Sequence, residues 1–460
     1  MDFLQTIFYF ILTIFVLVSI HEFGHFIAAR IFGMYVPVYS IGMGRRLFGW
    51  NKLNGFTFGP LSEELEAELG KHTDYRLSLL PIGGYAKIAG MIDETQREEL
   101  TGPAQQWEFR SKSWWKKSIV ICAGVTLNFL LAGAIFIGLK YSEGKIIWNT
   151  TTVGYVAQQS VSAKLGIVPG DKIVSIDGKP MTNWQDVDIE ATIGHLGRDF
   201  AMTLERAGTQ FTVQYHTSDL TTEPAEVDKN FGLYPEGAGG AFVNDVTSSY
   251  PADHAGIKTG DRVIKINDVP VLNEVAMIDL IKPHANQPIN LTWIRDGKEM
   301  STSITPNNAG QIGVQISQAP FMGKTTKLDY SFGEAISTGI SDLFTQTRLY
   351  IQNIFMLFTG KVNFTKNVGG PIRIAQIAGH AAKSGAAAYL GFMAILSLSL
   401  AFLNILPVPA LDGGHLIIIL VEAVLGRELS QKFKLRFQQV GVTVLLLLMV
   451  FMVFNDLRGL

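Results

Sequence analysis

The chain has 460 residues, 47% of them hydrophobic and only 17% charged, with a mean hydropathy of +0.23. Soluble domains carry about a quarter charged residues, so this composition points to a membrane protein. With 38 Lys and Arg against 40 Asp and Glu, the net charge of −2 gives no basic field for a phosphate backbone, which excludes nucleic acid as an expected partner.

The first apolar run, FLQTIFYFILTIFVLVSI from Phe3 to Ile20, has no Lys or Arg before it and no small-residue cleavage site after it. It therefore reads as a retained span. The run leads directly into His21-Glu22-Phe23-Gly24-His25. Residues four apart share a helix face, so His21 and His25 can direct ring nitrogens at one zinc ion. Glu22 beside them can take a proton from metal-bound water and deliver it to a leaving amine. Ionisable groups at membrane depth are costly and mark function. A catalytic zinc needs a third protein ligand, and the following FIAARIFGMYV offers neither His nor acid.

An acidic stretch, SEELEAEL (Ser62–Leu69), precedes DYRLSLLPIGGYAKI (Asp74–Ile88). The latter alternates apolar and polar residues and then carries Gly83-Gly84, which permit a bend and close backbone approach. It reads as a β-hairpin that either receives an extended chain along its edge or lies on the surface. A second span covers Ser118–Leu139 and holds the only cysteine, Cys122, a small core residue that excludes any intrachain disulfide.

A repeat follows. AKLGIVPGDKIVSIDGKPM (Ala163–Met181) matches DHAGIKTGDRVIKINDVPV (Asp253–Val271), with Gly170-Asp171 over Gly260-Asp261 and Pro180 over Pro270. Each copy predicts a short helix ended by Gly, a Gly-Asp turn and an alternating strand. The pattern resembles PDZ domains of bacterial envelope proteases, over about residues 145–318. From Leu328 to Phe358 apolar residues recur at helical intervals, predicting a helix that lies on the outer membrane surface or packs on the repeated modules.

The third span, Ala386–Ile405, is interrupted at Pro407 and Pro409 and continues as HLIIILVEAVLG (His415–Gly426). Asp412 in the break is the candidate third ligand, with His415 as its rival; Glu422 reads as a solvated or helix-pairing residue. The fourth span is Val440–Phe454. Arg30, Arg45, Arg46, Arg110, Lys112, Lys116, Lys117, Arg427, Lys432, Lys434 and Arg436 mark the cytoplasmic ends. Both termini and the region from about 141 to 385 then face outward, and His21, His25 and Asp412 share the cytoplasmic side.

The expected fold is a four-span α-helical membrane protein with two inserted β-rich PDZ-like domains and a membrane-associated β-hairpin. Its parts are a first span with the metal motif (1–31), a cytoplasmic region with the hairpin (32–112), a second span (113–140) and two PDZ-like domains (145–220 and 230–318). A periplasmic linker with an amphipathic helix (326–385), a third span (386–426) and a fourth span (437–456) complete it.

HEFGH in the first span, PIGGYAK (Pro81–Lys87), the two modules and NILPVPALDGGHL (Asn404–Leu416) together resemble the site-2 protease family of intramembrane zinc metalloproteases, from end to end. Within it the chain is similar to bacterial members of envelope-stress signalling. The resemblance implies Zn2+ on His21, His25 and Asp412, catalysis by Glu22, and substrate backbone held by Asn404. It implies a re-entrant hairpin beside the zinc, so that Gly83, Gly84 and Tyr85 also contact substrate. The implied partners are single-span membrane proteins already shortened outside, such as an anti-sigma factor, with leftover signal peptides as further substrates. The surroundings are the lipid of a bacterial inner membrane, with the modules and termini in the periplasm; no soluble small-molecule substrate is expected. A zinc transporter would need polar groups along a whole path, and a silent PDZ scaffold would not need Glu22.

Overall fold

The computed structural model describes residues 3–62, 65, 69, 72–91, 102–194, 198–216, 218–219, 231–237, 239–319, 321–358 and 369–458. Most of the acidic stretch 62–69 lies outside them. The chain forms a helical unit and a β-rich unit, the latter centred on residues 145–329.

In the helical unit, α1 (Phe3–Ile31) is followed by β1 (Val38–Asn51), β2 (Gly55–Phe58), β3 (Asp74–Lys87) and α2 (Trp114–Glu143). After the β-rich unit come α3 (Phe332–Phe358), α4 (Pro371–Lys383), α5 (Ala386–Ile405), α6 (Asp412–Leu425) and α7 (Gln431–Arg458). Four of these helices, α1, α2, α5 and α7, are long and apolar enough to cross a membrane. Helices apolar on every side are stable only where lipid or protein surrounds them. On α7, accordingly, Val444, Leu447, Val450 and Phe454 are all exposed, as lipid-facing residues must be. The fourth helix begins earlier than its apolar run, at Gln431, because Lys432, Lys434 and Arg436 are good helix formers outside the apolar zone.

Small and branched side chains join these helices. Ala29, Val120, Ile121 and Ile419 form one core from α1, α2 and α6 together with Met34, Val36 and Ile88. Ala132, Leu343, Ala394 and Leu398 join α2, α3 and α5 in another. The amphipathic segment thus packs its Leu343 face on the second and third spans. Lys140 fixes it further by pairing with Asp342 at 2.7 Å. Glu422 takes its helix-pairing role, on Lys434 of α7 at 2.6 Å.

The hairpin expected over Asp74–Ile88 is more elaborate than a simple two-arm turn. Val38–Ile41 of β1 is in register with Asp74–Leu77 and also with Gly84–Lys87, so the first strand inserts between the two arms. Gly84–Lys87 thereby becomes an outer edge of the sheet.

In the β-rich unit, one module contains a four-stranded sheet (Lys179–Pro180, Lys172–Ile176, Phe200–Arg206, Thr209–Tyr215), and the other a sheet running from Lys298–Ile304 to Val314–Gln318. The module boundary differs from the expected gap between 220 and 230. Leu233–Pro235 pairs with Val153–Val156, and Phe231 and Leu233 join the core of the first module around Trp184 and Phe200. The first module thus takes this distant strand into a separate two-stranded sheet and its core. The repeat survives in its polar contacts. Asp171 accepts from Val168 N and, on both oxygens, from Arg206, which also donates to Gly166 O. Asp261 accepts in the same way from Lys258 N and Arg295, which donates to Gly256 O.

Candidate metal centre

HEFGH is helical throughout, within α1. The helix turns both imidazoles toward α2, where Gly124 leaves the space for them. A Cβ on Gly124 would lie 2.5 Å from His25 Nε2 and 2.8 Å from His21 Cε1, so any side chain there would displace the rings. The two helices are close at this level, since a Cβ on Gly24 would collide with the Ala123 carbonyl.

Asp412 reaches the same point from the start of α6. Its Oδ2 lies 3.0 Å from His21 Nε2 and 3.5 Å from His25 Nε2, and the two Nε2 atoms are 3.1 Å apart. Donors on a tetrahedral zinc, at bonds of about 2.0–2.1 Å, are separated by about 3.3 Å. The three observed separations match the edges of that tetrahedron. Oδ2 of Asp412 is also buried without a hydrogen-bond partner among the described residues, a costly state that a cation would relieve. Two imidazoles and a carboxylate are a zinc-type donor set, and these residues fit the ion. The His25 ring is braced from behind: Nδ1 donates to the Val120 carbonyl at 2.9 Å, which leaves Nε2 for the metal.

Glu22 sits at the wall of the same open cavity with Gly84, Tyr85 and Ala86. Its Oε2 accepts from Ala86 N at 3.1 Å. Gly84 approaches so closely that a Cβ there would be 2.9 Å from the Ser40 carbonyl and 3.4 Å from Glu22 Cγ. Gly83 has φ +84, a left-handed conformation that suits glycine. Tyr85 is opposite Ser40 in the register. The edge strand is thus fixed against the metal motif by its own backbone. Tyr39 adds a tie, donating to the Ser19 carbonyl at 3.0 Å; burial, and then the neighbouring Glu22 charge, push its phenol up to about 12, so it remains a neutral donor.

Asn404, at the end of α5, has its amide nitrogen 3.5 Å from His21 Nε2. His415 lines the cavity but lies outside the cluster of three donors; its Nε2 is 3.2 Å from Gln438 Nε2. His21, Glu22, His25, Gly84, Tyr85, Asn404 and Asp412 are therefore at or beside one site, with His415 on its wall and Gly83 next to Gly84 in the same strand. Reading the sequence missed Gly124, which braces nothing but makes the room, and Asn128, whose amide lies near His21. Asn128 had a signal: it is the one strongly polar side chain within SIVICAGVTLNFLLAGAIFIGL.

Comparison with known proteins identifies the family. The model of peptidase family M50 matches residues 9–62 and 57–448. The chain is 31% identical to a Pasteurella multocida protein described as a zinc metalloprotease, over 99% of both chains. It is 30% identical to the regulator of sigma E protease of Haemophilus influenzae, again over 99% of both. Identity to the corresponding Escherichia coli protein is 28% over 99% of both. The chain belongs to peptidase family M50, the zinc metalloproteases of the site-2 type.

Proposed function

We propose that the chain is an intramembrane endopeptidase in which His21, His25 and Asp412 hold the zinc ion and Glu22 moves the proton. The observation that carries this reading is the set of tetrahedral donor separations, with the Glu22 carboxylate tethered in the same cavity by an edge strand. Bound zinc supplies Lewis acidity, which makes water nucleophilic near neutral pH and polarises a carbonyl. Glu22 takes a proton from the attacking water and delivers it to the leaving nitrogen, and the Ala86 N–H holds its second position. A membrane helix hides its amides in its own ladder, so the substrate must unwind before it is cut. Gly84–Lys87 offers an edge to the unwound chain by strand addition, Tyr85 covers it, and Asn404 supplies both an amide donor and an acceptor to its backbone.

The substrates on this reading are single-span membrane proteins. Relatives named as regulators of sigma E protease favour an anti-sigma factor shortened by an earlier outer cleavage, in envelope-stress signalling; remnant signal peptides are a further class. The basic residues at the inner ends of the spans favour an inner-membrane orientation with both termini and the β-rich modules in the periplasm. The paired modules are PDZ-like and exclude bulky outer domains from the site.

The test is Glu22→Gln. This variant keeps the imidazoles and removes the base, so zinc content stays at the wild-type level while cleavage of a single-span substrate in detergent falls about 10²–10⁴-fold. Near-normal cleavage would reject the enzyme mechanism, and unaltered zinc transport with no cleavage in either protein would favour a transporter.

A further inference from the structure

Asn128 is fully buried in the middle of α2, and the chemistry above does not use it. Its amide nitrogen is 3.5 Å from His21 Nδ1, while its Oδ1 has no hydrogen-bond partner among the described residues. Amide oxygen and nitrogen exchange places by half a turn about one bond, and the hydrogen-bond network decides which orientation holds. Here the network is decisive. Nε2 of His21 faces His25 Nε2 and Asp412 Oδ2, so it is the metal-facing atom, and the ring hydrogen sits on Nδ1. A donor at Nδ1 needs an acceptor, and an amide NH2 group is none. With the amide turned, Oδ1 occupies that place and can accept the Nδ1–H of His21.

The position is built rather than incidental. Val120, Gly124 and Asn128 follow one another at four-residue spacing along α2, as His21 and His25 do along α1. Val120 braces His25 through its carbonyl at 2.9 Å, Gly124 leaves the space for both rings, and Asn128 meets His21. The Asn128 carbonyl accepts from Ser397 Oγ of α5 at 2.8 Å, which fixes the depth of this turn of α2 through its backbone and leaves the side chain free for the ring.

We infer that Asn128 is a positioning residue that accepts the Nδ1–H of His21 through Oδ1 and thereby aims Nε2 at the zinc. The inference rests on the proposed ligand set. Outer partners of metal-bound histidine typically contribute about 10–100-fold in metal affinity.

The experiment measures zinc affinity by chelator competition, and the melting temperature of the metal-free protein, in the full chain. Asn128→Leu, similar in size but without an acceptor, is expected to bind zinc about 10–100-fold more weakly with the metal-free melting temperature unchanged. Asn128→Asp, which offers acceptors only, is expected to retain wild-type affinity. Wild-type affinity in the Leu variant, or an affinity loss matched by an equal loss of metal-free stability, would overturn the inference. So would weak binding by a folded Asp variant; if that variant does not fold, the Leu result decides. Asp412→Ala runs beside them. If it keeps zinc, the ligand set itself is wrong; if it loses zinc while Asn128→Leu does not, only the role of Asn128 falls.

Discussion

Asp171 and Asp261 in the β-rich modules and Asp412 among the membrane helices are all carboxylates drawn out of water, and they are neutralised by different means. Each module carries its own cation: Arg206 and Arg295 grip their aspartates on both oxygens at 2.6–2.7 Å. Asp412 faces only the two imidazoles, 3.0 and 3.5 Å from its Oδ2, with no guanidinium or ammonium beside it among the described residues. The difference separates a fastening from a reactive site. A carboxylate gripped on both oxygens by a guanidinium has its charge already neutralised and both oxygens engaged, so it is a poor site for a further cation. One held against two ring nitrogens belongs to a donor set that could hold a cation, the role proposed for it above.

The largest expected effect comes from breaking the incomplete side. Asp412→Ala should lower zinc affinity more than about 100-fold, beyond the range for losing an outer partner, and abolish cleavage with it. His415→Ala should keep most of its zinc, because His415 stands outside the donor cluster. Metal analysis of the two purified variants checks this; the reverse ordering would move the third ligand to His415. Neither change should alter the modules.

Removing about residues 145–318 tests the other side. A core that still folds and binds zinc should cleave substrates whose outer domain has not been trimmed, which the intact protein should refuse. Loss of cleavage of short substrates by such a core would make the modules recruiters instead of filters.

Within the modules, Asp261→Ala and Asp171→Ala should each loosen one module and leave zinc content and the other module unchanged. Removing one partner of a fully enclosed ion pair costs about 3–5 kcal/mol. The arginines are partly exposed, 24% for Arg295 and 44% for Arg206, so solvent screening brings the effect below that range, with the larger effect at Asp261. Hydrogen exchange resolved along the chain reads both changes. Equal loosening of the two modules by either variant would mean that they unfold as one.

What could be read from the sequence follows the same division between local and distant contacts. The metal motif, the Gly-Asp turns and the four apolar spans are local patterns, legible because helix spacing and turn chemistry act within a few residues. That Asp412 would lie beside His21 and His25 was legible because a third ligand has to be acidic or imidazole and to lie at the same depth. The strand Leu233–Pro235, which joins the first module from some eighty positions away, and Val38–Ile41, which splits the expected hairpin, depend on pairings that no local pattern encodes. The packing of α3 on the spans was missed for another reason. An amphipathic stripe states that a face will be covered, but not by what. Gly124 was unreadable as part of the site because a glycine in an apolar helix is ordinary until the neighbouring imidazoles are placed.

The smallest effect concerns pH and the first module alone. Burial would raise the Asp171 carboxyl, but the Arg206 and Val168 hydrogen bonds outweigh it and hold the group below the usual aspartate range. A carboxylate depressed in the folded state contributes stability above its unfolded pKa of about 3.9, and that contribution disappears as pH falls through the folded value. The stability difference between the wild type and Asp171→Asn, which does not titrate, should therefore be constant from pH 7 to about pH 5 and shrink below about pH 4. Urea midpoints of this module, read by hydrogen exchange on both proteins in the same buffers, cancel the pH dependence of exchange itself. Zinc loss at low pH would act on the helical unit in both proteins alike. A difference that grows on acidification would mean that Arg206 does not hold the charge of Asp171, and the contrast between a self-neutralised module and a metal-dependent site would lose its clearest support.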